Sequence, residues 1–98
     1  MSLLIHTDQL LQRATAILPF SNEDIIYKGI AVGASERIWE LKKARLRLQA
    51  EYGSLDDLEH KIQVEGVSPD DHTLYVDLLE WWAINDELIE LMRLIDTL

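Results

Sequence analysis

A run of side chains at helical spacing in the last third of the chain constrains the fold most. Mostly apolar residues recur there in alternating steps of four and three over three heptads, which is the pattern of one packed helical face. Ahead of it, Ser68 can cap a helix, Pro69 suits the first helical position, and Asp70 and Asp71 face the positive end of the helix dipole. We therefore predict a helix from this cap to the end of the chain. Its packed face consists of Leu74, Leu78, Trp81, Asn85, Leu88, Met92 and Ile95.

This helix is apolar over about half of its circumference. Tyr75, Trp82 and Ile89 flank the face on one side, and further apolar residues flank it on the other. The other short helices of a 98-residue chain cannot cover so much surface, so the pattern predicts a homodimer whose bundle the second copy completes. The residues that we expect to mediate self-association are Tyr75, Leu78, Trp81, Asn85, Leu88 and Met92.

Asn85 has two interpretations within that interface. A buried Asn at a central position pairs with another amide and fixes the register across a two-fold axis. At the edge of an interface, the same side chain would bond to water instead.

Two helices are predicted in the first half of the chain. Thr7 is a plausible cap for the first, and Pro19 ends it. Ser21 caps the second, which we expect to continue to Tyr52. Residues 25–32 are also rich enough in β-branched side chains to suggest a strand, and a break at Gly33 is a further alternative. Small residues at 29, 31, 33 and 34 would let another helix approach closely.

Glycines and serines divide the second half into two more helices. Gly53 ends the second helix and Ser54 starts a third, which Gly66 ends before Val67, a candidate hydrophobic staple. The prediction is thus an all-α fold of about four helices over residues 1–98, with the second and fourth long. Dimerisation would complete the helical bundle.

The charge is divided unevenly along the chain. The net charge is −9, which disfavours nucleic acid as a partner. Residues 1–50 hold seven basic and five acidic side chains, whereas residues 51–98 hold two basic and thirteen acidic ones. An acidic second half is typical of a chain that binds a basic protein, although it can also be a solvated surface that keeps an apolar helix soluble.

The sequence lacks the usual signatures of catalysis and of metal binding. There is no Cys and no His-x-x-x-His or Glu-x-x-His pair. His60 has no ligand-type residue three or four positions after it, and the aspartates near His60 and His72 are explained as helix-start residues. We therefore expect no enzyme activity, cofactor or metal, with a carboxylate metalloenzyme in a helical bundle as the alternative. Neither a signal peptide nor a membrane span is indicated, so we expect a cytoplasmic protein.

Residues 51–90 resemble the C-terminal half of small helical antitoxins that prokaryotes encode beside short toxins. The resemblance depends on Glu51-Tyr52-Gly53 with the acidic segment 54–59, on Lys61-Ile62, on Asp70-Asp71-His72, and on Asp77-Leu78-Leu79-Glu80-Trp81. It implies a non-catalytic protein that neutralises a small basic toxin with its acidic C-terminal helices. Residues 1–50 show no clear DNA-binding ribbon or helix-turn-helix, so the resemblance does not imply a repressor role. A structural subunit of a larger complex is a further possibility. The acids expected to contact the partner are Asp77, Glu80, Glu87 and Glu90.

Overall fold

The chain folds into four helices and short connections. The computed structural model describes residues 3–66 and 68–98, with side-chain surroundings from residue 6 onward. The helices are α1 (Leu3–Ile17), α2 (Asn22–Tyr52), α3 (Leu55–Glu65) and α4 (Thr73–Asp96). These two described ranges contain no strand. The predicted all-α class, with a long second and fourth helix, is therefore confirmed.

Helix α2 begins and ends where its sequence signals lie. Ser21 Oγ accepts a hydrogen bond from the Asp24 N–H at 3.1 Å, and the Ser21 N–H donates to Asp24 Oδ2 at 3.2 Å, which is a reciprocal capping box. The helix continues without interruption through residues 25–32 and Gly33, so neither the strand nor the break occurs. Gly53 follows it with φ +94°, a value that favours glycine.

Two helix starts differ from those predicted. Helix α1 begins at Leu3, so Thr7 lies within it instead of capping it. Helix α4 begins at Thr73 rather than at Pro69. The predicted cap, Ser68, accepts a hydrogen bond from the N–H of Asp70, only two residues on, at 3.2 Å. Such local bonds form a turn that competes with the helix. The staple candidate Val67 lies outside the described residues.

The core lies between α2 and α4, which run antiparallel, and α3 packs against both. Side chains spaced by seven on α2 meet the α4 face, and Leu48 and Leu58 are fully buried. The antiparallel direction follows from two ion pairs, since Arg37 meets Glu87 whereas Arg47 meets Glu80. The buried cluster consists of Leu41, Leu48, Leu58, Leu78, Trp81, Ile84 and Leu88.

Helix α1 packs only on α2 among the described elements. The molecule is therefore elongated, with extents of 62 × 31 × 19 Å. The close helix approach expected at the small residues of α2 is absent at both glycines, because no described neighbouring atom lies within 4 Å of a Cβ built at Gly29 or Gly33. Ala34 alone of those small residues is buried. No helix in the described part of the chain is long and apolar enough to cross a bilayer.

Candidate interaction surfaces

The residues predicted for self-association divide into two groups. Leu78, Trp81 and Leu88 are buried against the chain's own α2 and α3, and only 2–6% of each is exposed. Tyr75 and Met92 are exposed by 45% and 43%. Asn85, the sixth, is half-buried. The middle of the predicted face thus belongs to the core of a single chain, whereas its flank is left uncovered.

The four acids predicted to contact a partner all have partners inside the chain. Asp77 is buried and accepts a hydrogen bond from the Tyr52 hydroxyl. Glu80 accepts from Arg47 Nη2 at 3.0 Å, and Glu90 accepts from Arg93 Nη1 at 2.9 Å. Glu87 receives two hydrogen bonds from Arg37, at 2.7 and 3.0 Å. All four acids therefore connect helices or successive turns of one chain.

These pairings change the acid–base behaviour of the groups involved. The hydrogen bonds from Arg37 hold the pKa of the Glu87 carboxyl below its usual value of 4.5, and the same contacts raise the pKa of Arg37. Burial, followed by the hydrogen bond to Asp77, raises the pKa of the Tyr52 phenol above its usual value of 10.0. The charged rim of the α2–α4 contact is thus already neutralised within the chain.

The flank of α4 carries a row of exposed side chains that we call the open face, defined as Tyr75, Trp82, Asn85, Ile89 and Met92. Three of its apolar members are exposed by 43–48%: Trp82, Ile89 and Met92. Trp82 Nε1 donates a hydrogen bond to Glu59 Oε1 of α3 at 3.2 Å. The open face therefore begins beside α3 and continues beyond it. It contains no charged residue.

A second apolar surface lies on α2, on the side away from the core. We call it the outer stripe, defined as Val32, Trp39 and Leu46, which are exposed by 57%, 63% and 62%. The ammonium of Lys43 lies 4.3 Å from the Trp39 ring centroid, a cation–π distance. A shallow cavity of about 410 Å³ opens beside Trp39, lined also by Ser35, Glu36 and Glu40.

The interaction residues predicted from the sequence do not include the outer stripe. Its signal is nevertheless present in the sequence, because Val32, Trp39 and Leu46 are seven residues apart and so lie along one side of a helix. The stronger pattern on the opposite side, through Leu41 and Leu48, is the one that forms the core.

No metal-binding cluster is formed by the described residues. Within residues 3–66 and 68–98, no three His, Asp or Glu side chains are grouped closely enough to hold an ion. His60 and His72 are both exposed. The candidate functional features are therefore the open face and the outer stripe.

Comparisons with known proteins give no match. No protein-family model, no curated protein and no solved structure is similar to the chain.

Proposed function

We propose that this protein is a non-catalytic protein-binding module whose apolar helix faces are completed by other chains. The observation that carries the proposal is the large surface area that the single chain leaves exposed. The single chain exposes 7418 Å², whereas a compact monomer of 11.3 kDa exposes about 5,700 Å². Its radius of gyration is 20.3 Å, against about 13 Å for a compact domain of this length.

The exposed apolar residues lie in ordered rows and are not scattered. Single exposed apolar residues are normal on any protein surface. Rows with a seven-residue spacing, such as the outer stripe, instead match the way in which one helix packs on another. A partner helix laid along α2 would cover Val32, Trp39 and Leu46 together. This arrangement supports binding of a helical protein.

In its particular form, the proposal is an antitoxin-like role with a small basic protein as the partner. The excess of acids in residues 51–98 supports it. Since the acids of α4 are largely paired, the surface available to a basic partner is α3 and the following loop, where Asp56, Glu65 and Asp70 are exposed. A cytoplasmic location belongs to the same proposal, because a chain without Cys needs no oxidising compartment.

The test is co-expression of the full chain with the product of the adjacent gene. We expect the two proteins to co-purify, and we expect growth arrest caused by the neighbour alone to be relieved when this chain is present. Neutralising the acidic surface with Asp56→Asn, Glu65→Gln and Asp70→Asn should weaken the complex about tenfold at low salt, by reducing the association rate.

A matched control carries the same charge change away from α3 and its loop. The triple variant Asp8→Asn, Glu23→Gln and Asp96→Asn, at three exposed positions, should bind within about twofold of the parent protein, since surface charges far from an interface contribute little. Equal effects of the two triple variants would contradict the acidic surface, and a neighbour product that does not bind would contradict the antitoxin-like role. Melting curves with and without a chelator separate both outcomes from a metal-dependent enzyme.

A further inference from the structure

We infer that the outer stripe of α2 binds an acidic amphipathic helix of another protein, whose carboxylates pair with lysines on both sides of the stripe. This inference rests on the proposed protein-binding function and names the chemistry of the partner at one surface. The basic partner proposed above is assigned to the acidic surface of α3 and its loop. The chain would thus bind partners of opposite charge at two different places.

The outer stripe has the length and exposure of a surface on which a helix can dock. Val32 and Leu46 are 14 residues apart, so the stripe extends about 21 Å along α2, or about four turns of a partner helix. Trp39 lies at its centre and is 63% exposed. Trp is among the side chains that most often dominate the binding energy at the centre of a protein interface.

The charges on the two flanks of the stripe are mainly positive. Residues three or four positions from a stripe member lie beside it on the helix surface. Lys42 and Lys43 follow Trp39 by three and four residues and precede Leu46 by four and three, so they lie on opposite sides of the row. A helix laid on the stripe would therefore pass between two ammonium groups. The charged residues at all such positions, each of them exposed, are Lys28, Glu36, Lys42 and Lys43.

These lysines have no acidic partner among the described residues. Lys28 and Lys43 lie 4.6 and 4.3 Å from the ring centroids of Phe20 and Trp39. An ammonium has three donors, so an exposed contact of this kind still leaves it able to bind a carboxylate. Lys42 forms neither an ion pair nor a ring contact with a described residue. The ion pairs within the described part of the chain all use arginines, namely Arg37, Arg47 and Arg93.

Glu36 is the acid at these flanking positions, and it does not reverse their charge. It lines the shallow cavity beside Trp39 together with Glu40, but Glu40 is already paired with Arg37 at 3.2 Å. Three lysines against the Glu36 carboxylate leave the flanks with a net positive charge, on a chain whose total charge is −9. The flanks of the stripe are therefore complementary to carboxylates.

An acidic helix fits this surface better than the other candidate partners. A basic helix would place its charges against Lys42 and Lys43. Nucleic acid or an anionic bilayer presents negative charge over a wide area and would meet the overall charge of −9, whereas a single helix meets only the stripe. The acids of α4 lie across α2, which is about 10–12 Å wide, so salt screens them from a partner on the stripe. Charges that flank a packed apolar row select the partner in coiled coils in the same way.

The test uses a synthetic amphipathic helix that is long enough to span the stripe, with leucines along its apolar row and Glu on both flanks. A copy with Gln in place of Glu is the neutral counterpart. Binding of each labelled peptide to the full chain is measured by fluorescence anisotropy at low ionic strength. We expect the acidic peptide to bind about tenfold more tightly than the neutral one, and added salt should remove this advantage. Equal affinities, or an advantage that salt does not reduce, overturn the inference.

Variants of α2 locate the binding at the stripe. Lys42→Glu combined with Lys43→Glu should reverse the preference, so that the neutral peptide binds more tightly. Leu46→Gln should weaken both peptides about tenfold, because it removes an apolar contact. The matched control, Arg13→Glu with Lys61→Glu, makes the same charge change at exposed positions elsewhere and should leave both affinities within about twofold. A control that loses as much binding as the α2 charge variant contradicts the inference, and the salt dependence of the parent protein stands even if a variant does not fold.

Vesicles of phosphatidylglycerol test the competing membrane interpretation. Sedimentation of the parent protein with these vesicles, abolished by Lys42→Glu with Lys43→Glu and accompanied by no preference for the acidic peptide, would overturn the inference in favour of a membrane surface. Binding of the adjacent-gene product is measured separately, through the acidic surface of α3. If that product binds and the acidic peptide does not, the assignment of the stripe alone is wrong. The converse result supports the stripe and rejects the antitoxin-like role alone.

Discussion

The contact between Tyr52 and Asp77 is the main polar contact inside an otherwise apolar core. Asp77 was expected on the surface, but only 9% of it is exposed, and it accepts a hydrogen bond from the Tyr52 hydroxyl. Tyr52 is the last residue of α2, so the bond joins the end of α2 to the first turns of α4. The position of Asp77 beside the packed face is visible in the sequence, but the phenol that meets it belongs to another helix.

Replacing Tyr52 with Phe should destabilise the fold, because it leaves a buried carboxylate without its donor. An unsatisfied buried acceptor costs about 1–3 kcal/mol, and we expect a loss of that size in the free energy of unfolding, measured with urea at pH 7. Tyr27→Phe is the control. It removes the same hydroxyl from a residue that is 48% exposed and lies outside the open face and the outer stripe, and it should change stability by less than about 0.5 kcal/mol.

The same variant should also alter stability at alkaline pH. Burial and the bond to Asp77 raise the pKa of Tyr52 above 10.0, so above that pH the unfolded chain releases a proton that the native chain retains. Linkage then lowers the free energy of unfolding as pH rises. The stabilisation that the protonated Tyr52 phenol contributes is fully present below pH 10 and is lost as the pH rises above it. The alkaline decline should be steeper in the parent protein than in Tyr52→Phe, and parallel curves would show that this phenol does not couple to folding.

At the scale of the helices, the sequence predicts ends well where one signal acts alone. The ends of α2 and α3 follow Ser21, Ser54 and two glycines with positive φ. The sequence predicts too early a start for α4, because Ser68-Pro69-Asp70-Asp71 satisfies every rule for a helix start. In the structure Asp71 Oδ1 accepts instead from the N–H of Thr73 at 2.9 Å. Composition does not show which of the two local hydrogen-bonding patterns, a helix cap or a turn, forms at this position.

The uninterrupted course of α2 leads to a prediction for Gly33. A Cβ at this position meets no described neighbouring atom within 4 Å, so Gly33→Ala should stabilise the protein by about 0.5–1 kcal/mol through helix propensity alone. The measurement is the urea midpoint of the variant at the concentration used for the parent.

Gly53→Ala is the matched control for that substitution. The change is chemically the same, but Gly53 has φ +94° and its added Cβ would lie 2.7 Å from Asp57 Oδ2. It should therefore destabilise the protein by at least about 1–2 kcal/mol. If Gly33→Ala destabilised the protein as well, another chain would have to pack closely on that side of α2.

At the scale of the whole molecule, the sequence predicts the class and the order of the helices but not which surface each face meets. The seven-residue spacing of Leu74, Trp81 and Leu88 identifies an apolar face. Intrachain and interchain packing require the same side chains, so the spacing does not distinguish them. The structure assigns Trp81 and Leu88 to the chain's own core and leaves Ile89 and Met92 exposed.

The small core leads to a final prediction about how stability depends on protein concentration. Among the described residues, one chain buries a cluster of seven, so the homodimer that the sequence predicts should supply a substantial part of the folding free energy. For a dimer that unfolds to two chains, each tenfold rise in concentration adds about 1.4 kcal/mol per dimer, which corresponds to about 3–5 °C in Tm.

We therefore expect Tm to rise by about 6–10 °C over a hundredfold concentration range in the parent protein. The Leu46→Glu variant should show the same rise. In Ile89→Glu, Tm should be lower and independent of concentration, because the chain then unfolds from a monomer. A parent protein whose Tm stays constant over that range would mean that α2, α3 and α4 are stable without a second copy. The exposed row on α4 would then have no part in folding, and its side chains would be free to bind a different protein.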